Sequence, residues 1–130
     1  MTLALDTNIL IGIEKQKKEI IESLENIIKN DQVPACIPFI VYFEFIQGFR
    51  VKSQKNAEKS KSFIEKFRCL NTTKETTKIL DEIKHKYEKI GKGFTLSDLL
   101  IASQCIENNL TLVTTDKQFS EIEELKKIIL

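Results

Sequence analysis

The chain has 130 residues, which suits one domain that can bury a core without disulfide or metal staples. Its 42% hydrophobic and 30% charged residues exclude a disordered or fibrous chain, and no apolar run is long enough to span a bilayer. With 20 Lys and Arg against 19 Asp and Glu, net charge neither demands nor excludes a polyanionic partner, so the placement of charge must decide.

In chain order, Leu3-Ala4-Leu5 reads as a short strand and Asp6-Thr7-Asn8 as its end and a helix cap. Ile9 to Ile13 then forms a short helix. Residues Lys15 to Lys29 have helical spacing, with Ile20, Ile21, Leu24, Ile27 and Ile28 on one side. Asn30-Asp31-Gln32 marks a turn and Val33 to Ile37 a second strand. Pro38 opens a helix running to about Phe49, with Gly48 near its end.

Val51 to Ser62 is polar and Lys-rich, an exposed helix, and Arg68-Cys69-Leu70 a brief third strand. Thr73 to Ile90 is amphipathic, with Ile79, Leu80, Ile83 and Tyr87 inward, and Gly91-Lys92-Gly93 breaks it. Thr95 or Ser97 caps a helix from Asp98 to about Glu107. After the Asn108-Asn109 turn come a strand over 110–114, a turn and short helix over 116–124, and an edge strand over 127–130. No repeat, low-complexity tract or linker divides residues 1–130, so a single domain is expected.

Short apolar strands alternating with helices imply an α/β fold: a mostly parallel central sheet of about four or five strands flanked by helices. In such sheets ligands collect at the carboxyl ends of the strands. Asp6 and Asp116 each end a strand and so belong at that edge. The helix from Asp98 returns antiparallel to the following strand, which puts its N-terminus there too. Glu44, about two turns into the helix after the second strand, can lean over the same edge.

These four carboxylates each border an apolar run, and no Arg or Lys lies inside those runs to pair with them. An unpaired carboxylate beside buried surface is costly, so acids gathered without bases point to a divalent cation. Oxygen donors select Mg²⁺ or Mn²⁺ over softer ions. Each acid also has a plain reading: Asp6 and Asp98 as caps, Asp116 as an Asx turn. Glu44 is harder to explain that way, because its neighbours on both sides are apolar or aromatic.

Other chemistries fare worse. Gly91-Lys92-Gly93 lacks the further residues of a phosphate loop. His85 stands among Lys84, Lys86 and Glu88 as a solvated side chain. Cys36, Cys69 and Cys105 form no CxxC pair, so reduced thiols in a cytoplasmic protein are expected rather than zinc or disulfides. The opening also lacks a basic segment followed by a long apolar core, which argues against secretion.

Leu5-Asp6-Thr7-Asn8-Ile9-Leu10, the Glu44 helix ending at Gly48, Asp98-Leu99-Leu100-Ile101-Ala102, and Leu112-Val113-Thr114-Thr115-Asp116 with Phe119 occur in one order over nearly the whole chain. In this the chain resembles PIN-domain ribonucleases of the kind found as the VapC toxin of VapBC toxin–antitoxin pairs. The resemblance implies a metal-dependent endoribonuclease with Asp6, Glu44, Asp98 and Asp116 as the acidic metal site. Thr7, Asn8 and Thr114 are then supporting groups. It also implies an RNA substrate, an antitoxin partner and a homodimer, for which the apolar positions of the 15–29 helix are candidates. For RNA, the candidate basic residues are Arg50, Lys52, Lys55, Lys59 and Lys61, with Lys92 and Lys117 near the rim. The alternative is a PIN-fold binding or scaffold module whose acids only cap helices. A haloacid-dehalogenase-like phosphatase needs a second Asp where this chain has Asn8.

Overall fold

The computed structural model describes residues 1–28 and 34–130. The turn expected at Asn30-Asp31-Gln32, Lys29 and the Val33 start of the second strand lie outside the described residues. Five strands form one sheet: β1 (Leu3–Leu5), β2 (Cys36–Ile37), β3 (Arg68–Cys69), β4 (Thr111–Thr114) and β5 (Lys126–Ile129). All neighbours run parallel in the order β3-β2-β1-β4-β5. The chain therefore builds outward from β1 on one side and then crosses to the other. The carboxyl ends of β1 and β4 flank this switch of direction, the place where such sheets open a crevice.

Helices α1 (Thr7–Glu14), α2 (Lys18–Ile27), α3 (Phe39–Gln47), α4 (Gln54–Ile64), α5 (Lys74–Lys89) and α6 (Leu96–Glu107) fill the connections. β1 is fully buried, and β4 with it, so both consist of the near-continuous apolar runs that parallel sheets demand. Ile9, Leu10, Ile37, Val41, Ile64, Leu112 and Val113 are wholly enclosed in the core.

The structure adjusts several boundaries. The helix expected from Lys15 starts at Lys18, because Gln16 turns through a positive φ of 55° after α1 ends. At Gly12 a Cβ would lie 2.3 Å from Ile20 Cδ1, so glycine lets α2 approach α1 closely. Pro38 is the extended residue before α3 rather than its first helical one, and α3 gives way to a 3-10 turn over Gly48–Val51. Between Thr95 and Ser97, Thr95 is the cap, accepting from the Asp98 N–H at 3.1 Å. Asp98 therefore sits in the first turn of α6 rather than before it. On α2, Leu24 is buried and Ile20 and Ile27 pack on the core, so its apolar side faces inward.

Candidate active site

β1 carries the chain to Asp6 at its carboxyl end, where the Asp6 N–H bonds the Val113 carbonyl of β4 at 3.0 Å. This ladder bond fixes the Asp6 backbone beside β4. The side chain, 7% exposed, uses both oxygens. Oδ1 accepts from the Thr7 N–H at 2.8 Å and Oδ2 from the Thr114 hydroxyl at 2.6 Å. Thr114 Oγ1 in turn accepts from the Asp116 N–H at 3.0 Å, and Asp116 Oδ1 accepts from the Gln118 N–H at 3.0 Å. From the other direction, the Thr7 hydroxyl donates to Glu44 Oε1 at 3.0 Å. A polar chain thus runs Asp116–Thr114–Asp6–Thr7–Glu44, joining three of the four acids.

Asp98 arrives separately on α6. Buried Gln104, two turns further along that helix, accepts from the Phe39 N–H at 2.7 Å and donates to the Leu70 carbonyl at 3.4 Å. One side chain thereby ties α6 to the start of α3 and to the end of β3. That tie joins the helix that carries Asp98 to the helix that carries Glu44.

Asp6, Glu44, Asp98 and Asp116 line one open cleft of about 260 Å³, together with Thr7, Asn8, Ile11, Ser97 and Ile101. None of the lining residues is Lys or Arg. Burial pushes the Asp6 carboxyl above its ordinary value; bonds from Thr114 and Thr7 oppose this, and the negative charge of Asp116 adds to it. Asp98 is also pushed up, first by burial, against its bond with Thr95, and further by Asp116 and Asp6. The acids therefore sense each other as like charges without a local counter-charge.

A cleft whose charged lining is four carboxylates, with this repulsion, has the chemistry of a hard divalent cation site. As the side chains stand, no three His, Cys, Asp or Glu among the described residues form a ready coordination set. Asp6 and Glu44 are instead held by Thr114 and Thr7. The capping readings also hold for Asp6, at the N-terminus of α1, and for Asp116, before the 3-10 turn over Lys117–Glu121. Capping leaves the remaining oxygen of Asp116 for other partners. Glu44, exposed on α3, caps nothing.

Ser97 and Ile101 as lining and Gln104 as the tie are not evident from the motifs. A polar residue inside the apolar face of α6 was the available signal for Gln104. The basic candidates Arg50, Lys52, Lys55, Lys59, Lys61, Lys92 and Lys117 do not line the acidic cleft. Lys92 pairs with Glu121, and Lys52 with Glu14 at 2.9 Å. His85 is exposed on α5, and all three cysteines are free.

A fold of this order, with acids at the switch of an all-parallel sheet, defines a class of α/β domain. The PIN domain family model matches residues 3–125, and the chain belongs to that family. It is 28% identical to Ribonuclease VapC2 from Rickettsia felis over 127 residues, covering 96% of this chain and 95% of that protein. Among solved structures, VapBC2 from Rickettsia felis bound to a promoter DNA fragment matches with a TM-score of 0.85 at 28% identity. That match covers 100% of this chain and 99% of the other. VapBC-1 from nontypeable Haemophilus influenzae matches in fold with a TM-score of 0.81 at 24% identity, over 99% of this chain and 98% of that one.

Proposed function

We propose that this PIN-domain protein is an endoribonuclease that hydrolyses RNA phosphodiester bonds with Mg²⁺ or Mn²⁺ and serves as the toxin of a toxin–antitoxin pair. The observation that carries the reading is the convergence of Asp6, Glu44, Asp98 and Asp116 on one cleft without a lining cation. The likeness to Ribonuclease VapC2 and to VapBC complexes supports the substrate class and an antitoxin partner. Exposed Phe39 and Phe43, one turn apart on α3, and exposed Ile28 at the end of α2 support a homodimer surface. Free thiols fit a cytoplasmic protein.

Asp6, Asp98 and Asp116 would hold the ion, with Glu44 beside them. A bound divalent ion supplies positive charge for the scissile phosphate and acidifies the attacking water. Thr114 and the Thr7 N–H aim the Asp6 carboxylate and favour its ionised form, opposing the upward push of burial. Thr7 steers Glu44, whose second oxygen remains available to orient the attacking water. Asp116 is fixed through its own N–H on Thr114. Thr7 and Thr114 thus act as positioning groups, and Asn8 lines the entrance.

The scaffold reading has one observation in its favour, the caps that Asp6 and Asp116 make. It leaves Glu44 unexplained. Incubation of labelled RNA with the purified protein tests the proposal: cutting with Mn²⁺, suppressed by EDTA and by the antitoxin, is expected. RNA left intact by protein that is folded and metal-loaded would favour the scaffold.

A further inference from the structure

We propose that the hollow between the end of α1 and α4 is a second RNA subsite, in which Lys15 and Lys59 each take a backbone phosphate remote from the scissile bond. This rests on the nuclease reading above. The hollow is about 580 Å³, more than twice the acidic cleft, and is ringed by Lys15, Gln16, Lys52, Asn56 and Lys59 around Glu14. Three lysines therefore share the hollow with one carboxylate.

One oxygen of that carboxylate is already paired. Glu14 Oε1 accepts from Lys52 Nζ at 2.9 Å, and Lys52 also donates to the buried Ser60 hydroxyl at 2.5 Å. Glu14 Oε2 is shielded from solvent and has no hydrogen-bond partner among the described residues, so an anion in the hollow meets the lysine ammonium groups before it meets this oxygen. Lys15 and Lys59 are exposed and form no ion pair among the described residues, while Gln16 and Asn56 add exposed amides. A shallower hollow continues along α4 between Lys55, Lys59 and Lys66, with Glu58 as its acid. The basic surface is thus a strip rather than a point.

Its position relative to the acids gives the strip a purpose. α1 starts at Thr7, which lines the acidic cleft, and ends at Glu14, which lines the basic hollow. Seven steps of about 1.5 Å from Thr7 to Glu14 separate the two by roughly 10 Å. A polyanion that enters a cleft of four carboxylates is repelled until the ion is bound, and a cationic anchor one helix length away offsets that repulsion. Ammonium contacts to phosphates supply this affinity without reading sequence. The net positive lining favours RNA over the other possible occupant, an apolar or basic stretch of a protein partner.

The test measures binding of labelled single-stranded RNA to Asp6→Asn protein with and without Lys15→Gln/Lys59→Gln, across about 50–200 mM salt. Those substitutions spare the Glu14–Lys52–Ser60 cluster. Losing two phosphate contacts should flatten the salt slope by about 1.4, so that the parent loses about sevenfold more affinity than the variant over that range. A Lys74→Gln/Lys78→Gln control on α5 should leave the slope unchanged. Equal slopes for parent and variant, or an equal drop in the control, overturn the subsite. So does intact RNA binding with lost antitoxin binding, which would make the hollow a protein interface. If the wild-type protein neither binds nor cuts RNA, the nuclease reading falls and the subsite with it.

Discussion

Thr114 and Asp6 are 108 residues apart in sequence, yet the threonine hydroxyl donates to the aspartate across 2.6 Å in the buried floor of the cleft. The same oxygen accepts from the Asp116 N–H, so one side chain organises two of the four acids. Replacing Thr114 with Val preserves shape but removes both roles. Thr114→Val should cost about 2–3 kcal/mol, since it strips a hydrogen bond from a buried carboxylate and orphans a backbone donor. Thr114→Ser should retain most of that stability. Denaturant unfolding checks this; a Val variant as stable as the parent would show that the bond contributes nothing.

The acids repel one another when no ion is bound, and this has a measurable signature. Asp98→Asn should raise the melting temperature in EDTA, because Asp98 is held up by burial and by the charges of Asp116 and Asp6. The same substitution should weaken or abolish the stabilisation that Mg²⁺ gives the parent, which follows from binding to the native state alone. Thermal melts with and without Mg²⁺ decide it. A variant that melts lower in EDTA and gains as much from Mg²⁺ would remove Asp98 from the ion's surroundings.

Gln104 is fully buried and serves both the Phe39 N–H and the Leu70 carbonyl. Gln104→Leu should destabilise the fold by about 1–3 kcal/mol through the unpaired Phe39 N–H. Because Phe39 begins α3, the variant should also lose RNA cleavage beyond what its remaining folded fraction explains. Cleavage assayed well below the melting point separates the two effects. Full activity would show that α3 is held in place without this tie.

Much of this architecture was legible in the residues themselves. Leu3-Ala4-Leu5 and Leu112-Val113-Thr114 announced buried parallel strands, and the acids at their ends followed from the rule that such sheets bind at their carboxyl edge. The hydrogen-bonded chain through Thr7 and Thr114 was not legible in detail, because it depends on the Leu5–Val113 register. Glu44 was visible as an anomaly among aromatics, but its exposure was not: α3 turns Val41 and Phe45 inward and leaves Phe39, Phe43 and Glu44 outside. Lys52 reads in the sequence as an RNA candidate and is instead committed to Glu14 and Ser60, a pairing with a residue 38 positions away that only the packing brings together. The break between the first two helices was legible, but its place at Gln16 was not, because nothing in a Lys- and Gln-rich stretch marks where the second helix starts.

Away from the cleft, Glu124 fastens the 3-10 segment after Asp116 to α5. Burial raises its carboxyl, but hydrogen bonds from the Tyr87 hydroxyl at 2.6 Å and from Lys86 outweigh burial and hold it below the ordinary value. A carboxyl lowered in the folded state contributes stability above its unfolded value and loses it as pH falls through the folded one. Wild type should therefore exceed Glu124→Gln in stability at neutral pH, and the gap should close on acidification through and below the carboxylate range. Unfolding midpoints for the pair at several pH values provide the check. A gap that widens toward acid would reverse the assignment.

The most direct measurement is cleavage of one labelled RNA in Mn²⁺ by wild type beside Asp6→Asn, Glu44→Gln, Asp98→Asn and Asp116→Asn, each shown to be folded. The expected result is cutting by the wild type and large losses in all four variants, by factors of about 10² or more, as befits groups that stabilise charge in the transition state. Wild-type cutting retained in all four variants would contradict the acidic cleft as the seat of catalysis.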